Sequence, residues 1–162
     1  SLIGQQIELC GWVHRRRDHG GVIFVDLRDR AGRVQVVFHP ENPKQFQVAE
    51  CLRSEFVIKI VGTVRHRPEG TVNPDLATGA VEVLVQEVVL LNRADPVPFR
   101  IDEHQEVTED VRLRYRYLDL RRPEMSHRIE FRAKVSKLIR HYLEEHGFYD
   151  VETPFLTKST PE

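Results

Sequence analysis

Val22-Ile23-Phe24-Val25-Asp26-Leu27-Arg28 alternates strictly. Successive side chains of a strand point to opposite faces, so Ile23, Val25 and Leu27 fall on one side and Phe24, Asp26 and Arg28 on the other. The aliphatic side is the core side. An aromatic ring is therefore left on the polar side, beside Arg28 and shortly after the basic run Arg15-Arg16-Arg17. Two readings fit. Phe24 is a stacking platform for an unpaired base, with cations nearby for phosphates, or it packs beneath a loop.

Outward from this stretch, residues 5–17 read as a first strand, with Ile7, Leu9, Gly11 and Val13 alternating with Glu8, Cys10, Trp12 and His14. Trp12 is expected on the inward side of a bend in that strand. Asp18-His19-Gly20-Gly21 is a hairpin turn. Asp29-Arg30-Ala31-Gly32 is a second turn, and Asp26 and Asp29 read as surface acids near it. Arg33–Phe38 forms a third strand with Val34, Val36 and Phe38 inward and Gln35 outward. The period then changes: Phe46, Ala49, Cys51 and Leu52 suit a short helix within 43–54. Residues 55–65 and 80–91 return to strand, separated by the polar loop 66–79 with Pro68, Gly70, Asn73, Pro74 and Gly79.

Three strands, a helix and two strands suit the five-stranded, partly open barrel called the OB-fold, whose second and third strands and flanking loops face single-stranded nucleic acid or sugar chains. Phe24 and Gln35 lie on the outer face of those two strands, which favours the platform reading of Phe24. The chain carries a net charge of −1, so it is no general polyanion binder. Residues 11–35 nevertheless hold six arginines (15, 16, 17, 28, 30, 33) against three aspartates (18, 26, 29).

Residues 92–108 read as a linker, broken by Pro96 and Pro98 and made acidic by Asp102, Glu103 and Glu106. Thr108 is placed to cap a helix beginning at Glu109-Asp110. Pro123 opens a longer helix with an apolar stripe of Phe131, Val135, Leu138 and Tyr142, widened by Ile139 and Leu143. Gly147 stops it, and Phe148–Leu156 reads as a strand interrupted by Pro154. One striped helix and one strand cannot close a core, and the chain runs from Ser1 to Pro161-Glu162, so a longer parent protein is expected. Cys10 and Cys51 are far apart and no histidine has metal-ligand spacing with either; no metal site is expected, and the setting reads as reducing and cytoplasmic. No run approaches the roughly 18 apolar residues of a membrane span.

The second half carries a recognisable pattern. Gly147-Phe148-Tyr149-Asp150-Val151-Glu152-Thr153-Pro154 after an amphipathic helix resembles motif 1 of the class II aminoacyl-tRNA synthetases. Arg114-Tyr115-Arg116-Tyr117-Leu118-Asp119-Leu120-Arg121 resembles the segment that leads into the catalytic domain in the aspartate, asparagine and lysine subgroup. Cys10-Gly11-Trp12-Val13-His14-Arg15-Arg16-Arg17-Asp18, Asn92-Arg93-Ala94-Asp95, Leu120-Arg121-Arg122-Pro123-Glu124-Met125 and Thr160-Pro161-Glu162 are similar to segments of the bacterial-type aspartyl-tRNA synthetases.

The resemblance implies a mainly β chain with α: an OB-fold anticodon-binding domain over 1–92, a hinge over 93–122, and the start of a class II α+β catalytic domain, with motif 1, over 123–162. It implies that Phe24 stacks on the central anticodon base and that Gln35 hydrogen-bonds a base edge. Arg15 and Arg17, on one side of the first strand, would divide bases and phosphates between them, and Arg65 and Arg67 would serve the third base. His19 and Gly70 would relax recognition from aspartate tRNA alone to aspartate and asparagine tRNA, a downstream amidotransferase then correcting the misacylated product. Glu162 would face the substrate ammonium in the intact enzyme. That enzyme would use ATP and Mg²⁺ and pair as a homodimer through motif 1. This stretch of chain would hold no catalytic residue and bind neither cofactor, because motifs 2 and 3 would lie beyond Glu162. The competing reading is a free-standing OB-fold module for single-stranded RNA.

Overall fold

The computed structural model describes residues 2–101 and 105–159. They divide into two compact units, the first ending at Pro98 and the second beginning at Phe99.

The first unit is a closed five-stranded barrel ordered β1-β2-β3-β5-β4, with β1 closing back on β4. Its strands are β1 (Gln6–His19), β2 (Val22–Arg28), β3 (Arg33–Phe38), β4 (Val57–His66) and β5 (Val81–Asn92), with helix α1 (Pro43–Cys51) between β3 and β4. Every ladder is antiparallel except β3 with β5. This is the OB-fold that the element order implies. The alternation of β2 holds: Ile23, Val25 and Leu27 are buried and join Val13, Val36, Phe38, Ile58, Ile60 and Val83 in one core. Each such side chain contributes about 1.5–3 kcal/mol of burial, so truncating Ile23 or Ile58 to alanine costs about 2–5 kcal/mol. Ala49 of helix α1 and Leu52 just after it plug the barrel, both fully buried, and Gln45 fixes the helix to β5 by accepting from the Val88 N–H at 2.8 Å. It stops at Cys51, short of the expected 54, because Leu52 already has extended backbone.

One expectation about β1 needs correction. Trp12 lies outside the barrel, 36 % exposed, while its neighbours Gly11 and Val13 are buried. Strict alternation continued past Val13 would also have carried Arg15 and Arg17 inward. A β-bulge at His14 intervenes: Val13 pairs with Leu27, but Arg15 pairs with Asp26. One extra residue reverses the facing of everything after it, and both arginines emerge on the outer face.

The second unit contains α2 (Glu109–Arg114), α3 (Arg116–Asp119) and α4 (Pro123–Glu145). Thr108 does occupy the N-cap position of α2, but its side chain makes no capping bond; its carbonyl receives the Arg112 N–H at 3.1 Å. Asp119 is fully buried and clamped by Arg112 (Nε to Oδ1, 3.0 Å), Arg116 (Nη1 to Oδ2, 2.7 Å) and Arg122 (Nη1 to Oδ1, 3.6 Å). Burial pushes its carboxyl upward. The hydrogen bond from Arg112 and the three positive charges outweigh this and hold it below the usual range. Helix α4 ends as expected at Gly147, whose φ of +83° suits a residue without Cβ. Phe148 N–H returns to the Leu143 carbonyl and Gly147 N–H to that of Glu144, both at 3.0 Å, closing a Schellman cap. The α4 stripe of Phe131, Val135, Leu138 and Tyr142 is exposed. Residues 148–156, expected as a strand, carry no strand pairing; a strand is defined by a partner ladder, and among the described residues none lies alongside.

Candidate nucleic-acid interface

Residues directly opposite each other in a ladder share a face, so the pairing registers build the outer surface. One row runs Arg15–Asp26–Gln35–Glu82–Arg65, and the next runs Arg17–Phe24–Val37–Leu84–Thr63. Expected site residues from β1, β2, β3 and β4 thus fall in two adjacent rows.

A pocket of about 220 Å³ opens on these rows. Val22, Phe24 and Val37 line it together with Gln35, Glu82, Arg65 and His39, and Pro68 and Thr71 of the β4–β5 loop complete the wall. The loop is fixed by its own bonds. Thr71 donates from Oγ1 to the Pro68 carbonyl at 2.7 Å, Arg67 N–H donates to the Ala80 carbonyl at 3.0 Å, and Thr78 Oγ1 donates to the Arg33 carbonyl at 2.5 Å. Phe24 is half-buried, one of the apolar faces in a pocket edged by charge.

The polar edge is a connected chain. Arg17 donates from Nη2 to Oδ1 of Asp26 at 2.5 Å and to Oε1 of Gln35 at 3.2 Å. Gln35 donates from Nε2 to Oε2 of Glu82 at 2.8 Å, and Arg65 donates from Nε to Oε1 of Glu82 at 2.8 Å. Asp26, expected as a surface acid, is instead the half-buried anchor of Arg17. Glu82 was not among the expected site residues, although it is only 1 % exposed and fixes both Gln35 and Arg65. Its sequence signal is an acid between Val81 and Val83, opposite a basic residue in the same ladder.

Gln35 faces outward as expected but is 7 % exposed, beneath its neighbours. Each end of its amide is engaged once, which fixes the orientation. An amide has two N–H groups and two acceptor lone pairs, so one donor and one acceptor are left for a ligand. Arg15 is exposed, with no hydrogen bond or ion pair among the described residues, a cation available to phosphate. Arg67 is 8 % exposed and turned inward, with Nε donating to the Val81 carbonyl at 3.2 Å and Nη1 reaching the Thr71 carbonyl at 3.5 Å. In this geometry it braces the loop rather than standing at its mouth.

His19 ends β1, exposed, across from Val22. Gly70 is exposed with φ +80°, and a Cβ built there meets nothing within 4 Å. A side chain at 70 would thus be limited by backbone conformation, not by space. Neither residue lines the pocket, though Gly70 lies between Pro68 and Thr71, which do. Glu162 lies outside the described residues. Among the described residues no group of three or more His, Cys, Asp or Glu could hold a metal ion, and no helix is long and apolar enough to cross a membrane.

Comparison with known proteins gives two family matches. A model described as an OB-fold nucleic acid binding domain matches residues 7–91, and one described as class II tRNA synthetases (D, K and N) matches residues 108–162. Among solved structures, the chain is similar to asparaginyl-tRNA synthetase from Pyrococcus horikoshii complexed with asparaginyl-adenylate. Identity is 26 % and TM-score 0.78, over 94 % of this chain and 34 % of that one. It is also similar in fold to aspartyl tRNA synthetase from Entamoeba histolytica, at 21 % identity and TM-score 0.82, over 98 % of this chain and 38 % of that one. The chain spans little more than a third of the length of these structures.

Proposed function

Because this chain belongs to the OB-fold nucleic acid binding domain family and continues into a class II tRNA synthetase of the D, K and N group, we propose that it is the anticodon-reading portion of an aspartate–tRNA ligase. Residues 1–92 bind the anticodon, 93–122 form the hinge, and 123–162 begin the catalytic domain. The observation that carries this reading is the single pocket shared by Phe24, Gln35 and Arg65. It offers an apolar face for a base, an amide with one free donor and acceptor for its edge, and a cation at its rim. Single-stranded RNA is read in this way, by unstacked bases placed on aromatic rings and hydrogen-bonded at their edges.

The central base stacks on Phe24, and Gln35, held in one orientation by Glu82 and Arg17, reads its edge. Arg15 meets the backbone. Arg65 meets the third base, and Arg67 acts on that base through the loop it supports. The pairing of His19 with Gly70 admits either of the third bases that separate aspartate from asparagine tRNA, since exclusion needs an obstructing side chain and Gly70 supplies none. The product on asparagine tRNA is then misacylated aspartate, a substrate for an amidotransferase. In the intact protein, ATP supplies the activation that makes aspartyl-adenylate, with Mg²⁺ as counter-ion. The described residues include no acid cluster suited to that ion. The exposed stripe of α4 is where a second copy docks.

The test is binding of this chain to RNA hairpins carrying the aspartate loop, the asparagine loop, and an aspartate loop with its central base changed. Near-equal affinity for the first two is expected, and a loss of about 1–3 kcal/mol for the third, whose edge no longer matches the Gln35 amide. Equal affinity for all three, governed by salt alone, would leave only a generic basic surface.

A further inference from the structure

Arg15-Arg16-Arg17 poses a problem that the sequence does not solve. Register in a half-buried strand is set by which residues prefer the core, and three identical cations express no preference. Continued without a bulge, β1 would place His14, Arg16 and Asp18 outward and Arg15 and Arg17 inward. The observed register does the reverse, because His14 is the extra residue.

The surroundings of His14 are unusually built. Its ring is buried, with Arg28 Nη1 3.0 Å from Nδ1 and Arg33 Nη1 2.9 Å from Nε2. Arg28 also donates from Nη2 to both carboxylate oxygens of Glu55, at 2.9 and 2.8 Å. Glu55 is buried and has φ +65°, the one non-glycine residue with positive φ among those described. A residue with a long side chain seldom adopts that conformation and persists in it only where its surroundings enforce it. Here the enforcement runs to the bulge: Glu55 N–H donates to the Val13 carbonyl at 2.7 Å, and Val13 N–H donates to the Phe56 carbonyl at 2.8 Å. Backbone and side chain thus grip the residue before the bulge and the bulged residue itself.

We infer that His14, Arg28 and Glu55 form a register clamp: by holding the bulge at His14 they decide that Arg15 and Arg17, rather than Arg16, face the nucleic acid. They are positioning residues and need not touch RNA. The binding consequence rests on the anticodon reading above; the register consequence does not.

The test uses two conservative variants, Glu55→Gln and Arg28→Lys, and two readouts. The first is the NMR cross-strand proximity of the Arg15 and Asp26 backbones, which a slip replaces by His14 against Asp26. The second is affinity for the aspartate-loop hairpin as a function of salt. Expected results are a mixed register, a loss of about tenfold in affinity, and a salt slope smaller by about 0.7 for each phosphate that is no longer neutralised. A variant that merely loosened the fold would leave the slope unchanged. Deleting His14 supplies the rescue. Val13 is then followed directly by Arg15, the arginines alternate outward without a bulge, and adding Glu55→Gln should leave register and slope unaltered. Retention of the Arg15–Asp26 register and the full slope in both variants would overturn the inference, as would an undiminished Glu55→Gln effect in the His14-deleted chain. If the unmodified chain shows no loop preference, the anticodon reading fails, and the register readout still decides the clamp.

Discussion

Glu82→Gln keeps the shape of a buried side chain and removes its charge, and the geometry sets the consequence. The carboxylate is acceptor-only. Oε1 receives Arg65 Nε at 2.8 Å, and Oε2 receives Gln35 Nε2 at 2.8 Å. An amide offers one acceptor atom and one donor atom, so either way round an N–H meets a donor. Facing Arg65, the clash is relieved by swinging out a guanidinium whose side chain is already 44 % exposed. Facing Gln35, that amide must flip, which turns its own N–H groups toward Arg17. One unmatched buried donor costs about 1–3 kcal/mol, and recovery of water by Arg65 favours the lower part, about 1–2 kcal/mol. With a urea slope of about 1–2 kcal/mol/M, the midpoint should fall by about 1 M, read from the fluorescence of Trp12, the only tryptophan in the chain. In the flipped state the donor and acceptor offered to a base are exchanged. Discrimination against a changed central base should therefore shrink, while binding of mismatched hairpins is nearly kept. An unchanged midpoint, or an equal loss for matched and mismatched hairpins, would refute this reasoning.

Other expectations follow from the same geometry. Truncating Arg67 to alanine removes the bonds to the Val81 and Thr71 carbonyls, so limited proteolysis should cut within 68–79 faster while the barrel strands stay protected. Gly70→Ala should cost about 1 kcal/mol from its left-handed backbone, and Gly70→Asn, a residue that tolerates that region, less; denaturation midpoints check this, and the asparagine variant should also separate the affinities for the two natural loops. Asp119 has a depressed carboxyl pKa, so below the usual carboxylate value of about 3.9 the unfolded second unit takes up a proton before the folded one does. The stability this group contributes is thus complete above that value and lost as pH falls through the lower folded one. Amide exchange at Leu118–Arg122 should accelerate over that window, and Asp119→Asn should remove the pH dependence.

The barrel was legible because β2 alternates cleanly and the turns before β2 and β3 are glycine-marked; β3 itself breaks the alternation, with Val36, Val37 and Phe38 all buried. The first strand was legible only to Val13. Beyond it, local pattern gave no phase, and the answer came from Glu55 and Arg28, far away in sequence. Trp12 was misplaced for a related reason: hydrophobicity argues for burial, but its register partner Arg28 faces outward. Phe24 and Gln35 could be gathered in advance since alternation fixes the face of each, whereas Arg65 joined them only through the family resemblance. Glu82 could not, because its value lies in partners on β3 and β4. Arg67 turned inward because the loop's carbonyls needed a donor, a demand invisible before the loop is folded. Residues 148–156 read as strand from composition, yet a strand exists only with a partner ladder.

The most direct measurement is a double-mutant cycle between Phe24→Ala and removal of the central anticodon base (an abasic nucleotide at that position), with hairpin affinity measured for all four combinations at one salt concentration. If the ring is the platform for that base, each change alone should cost about 1–3 kcal/mol, and the pair should cost little more than the larger single change, leaving a coupling near the size of either effect. Strictly additive losses would mean that ring and base do not meet, and would contradict the assignment of this pocket to anticodon reading.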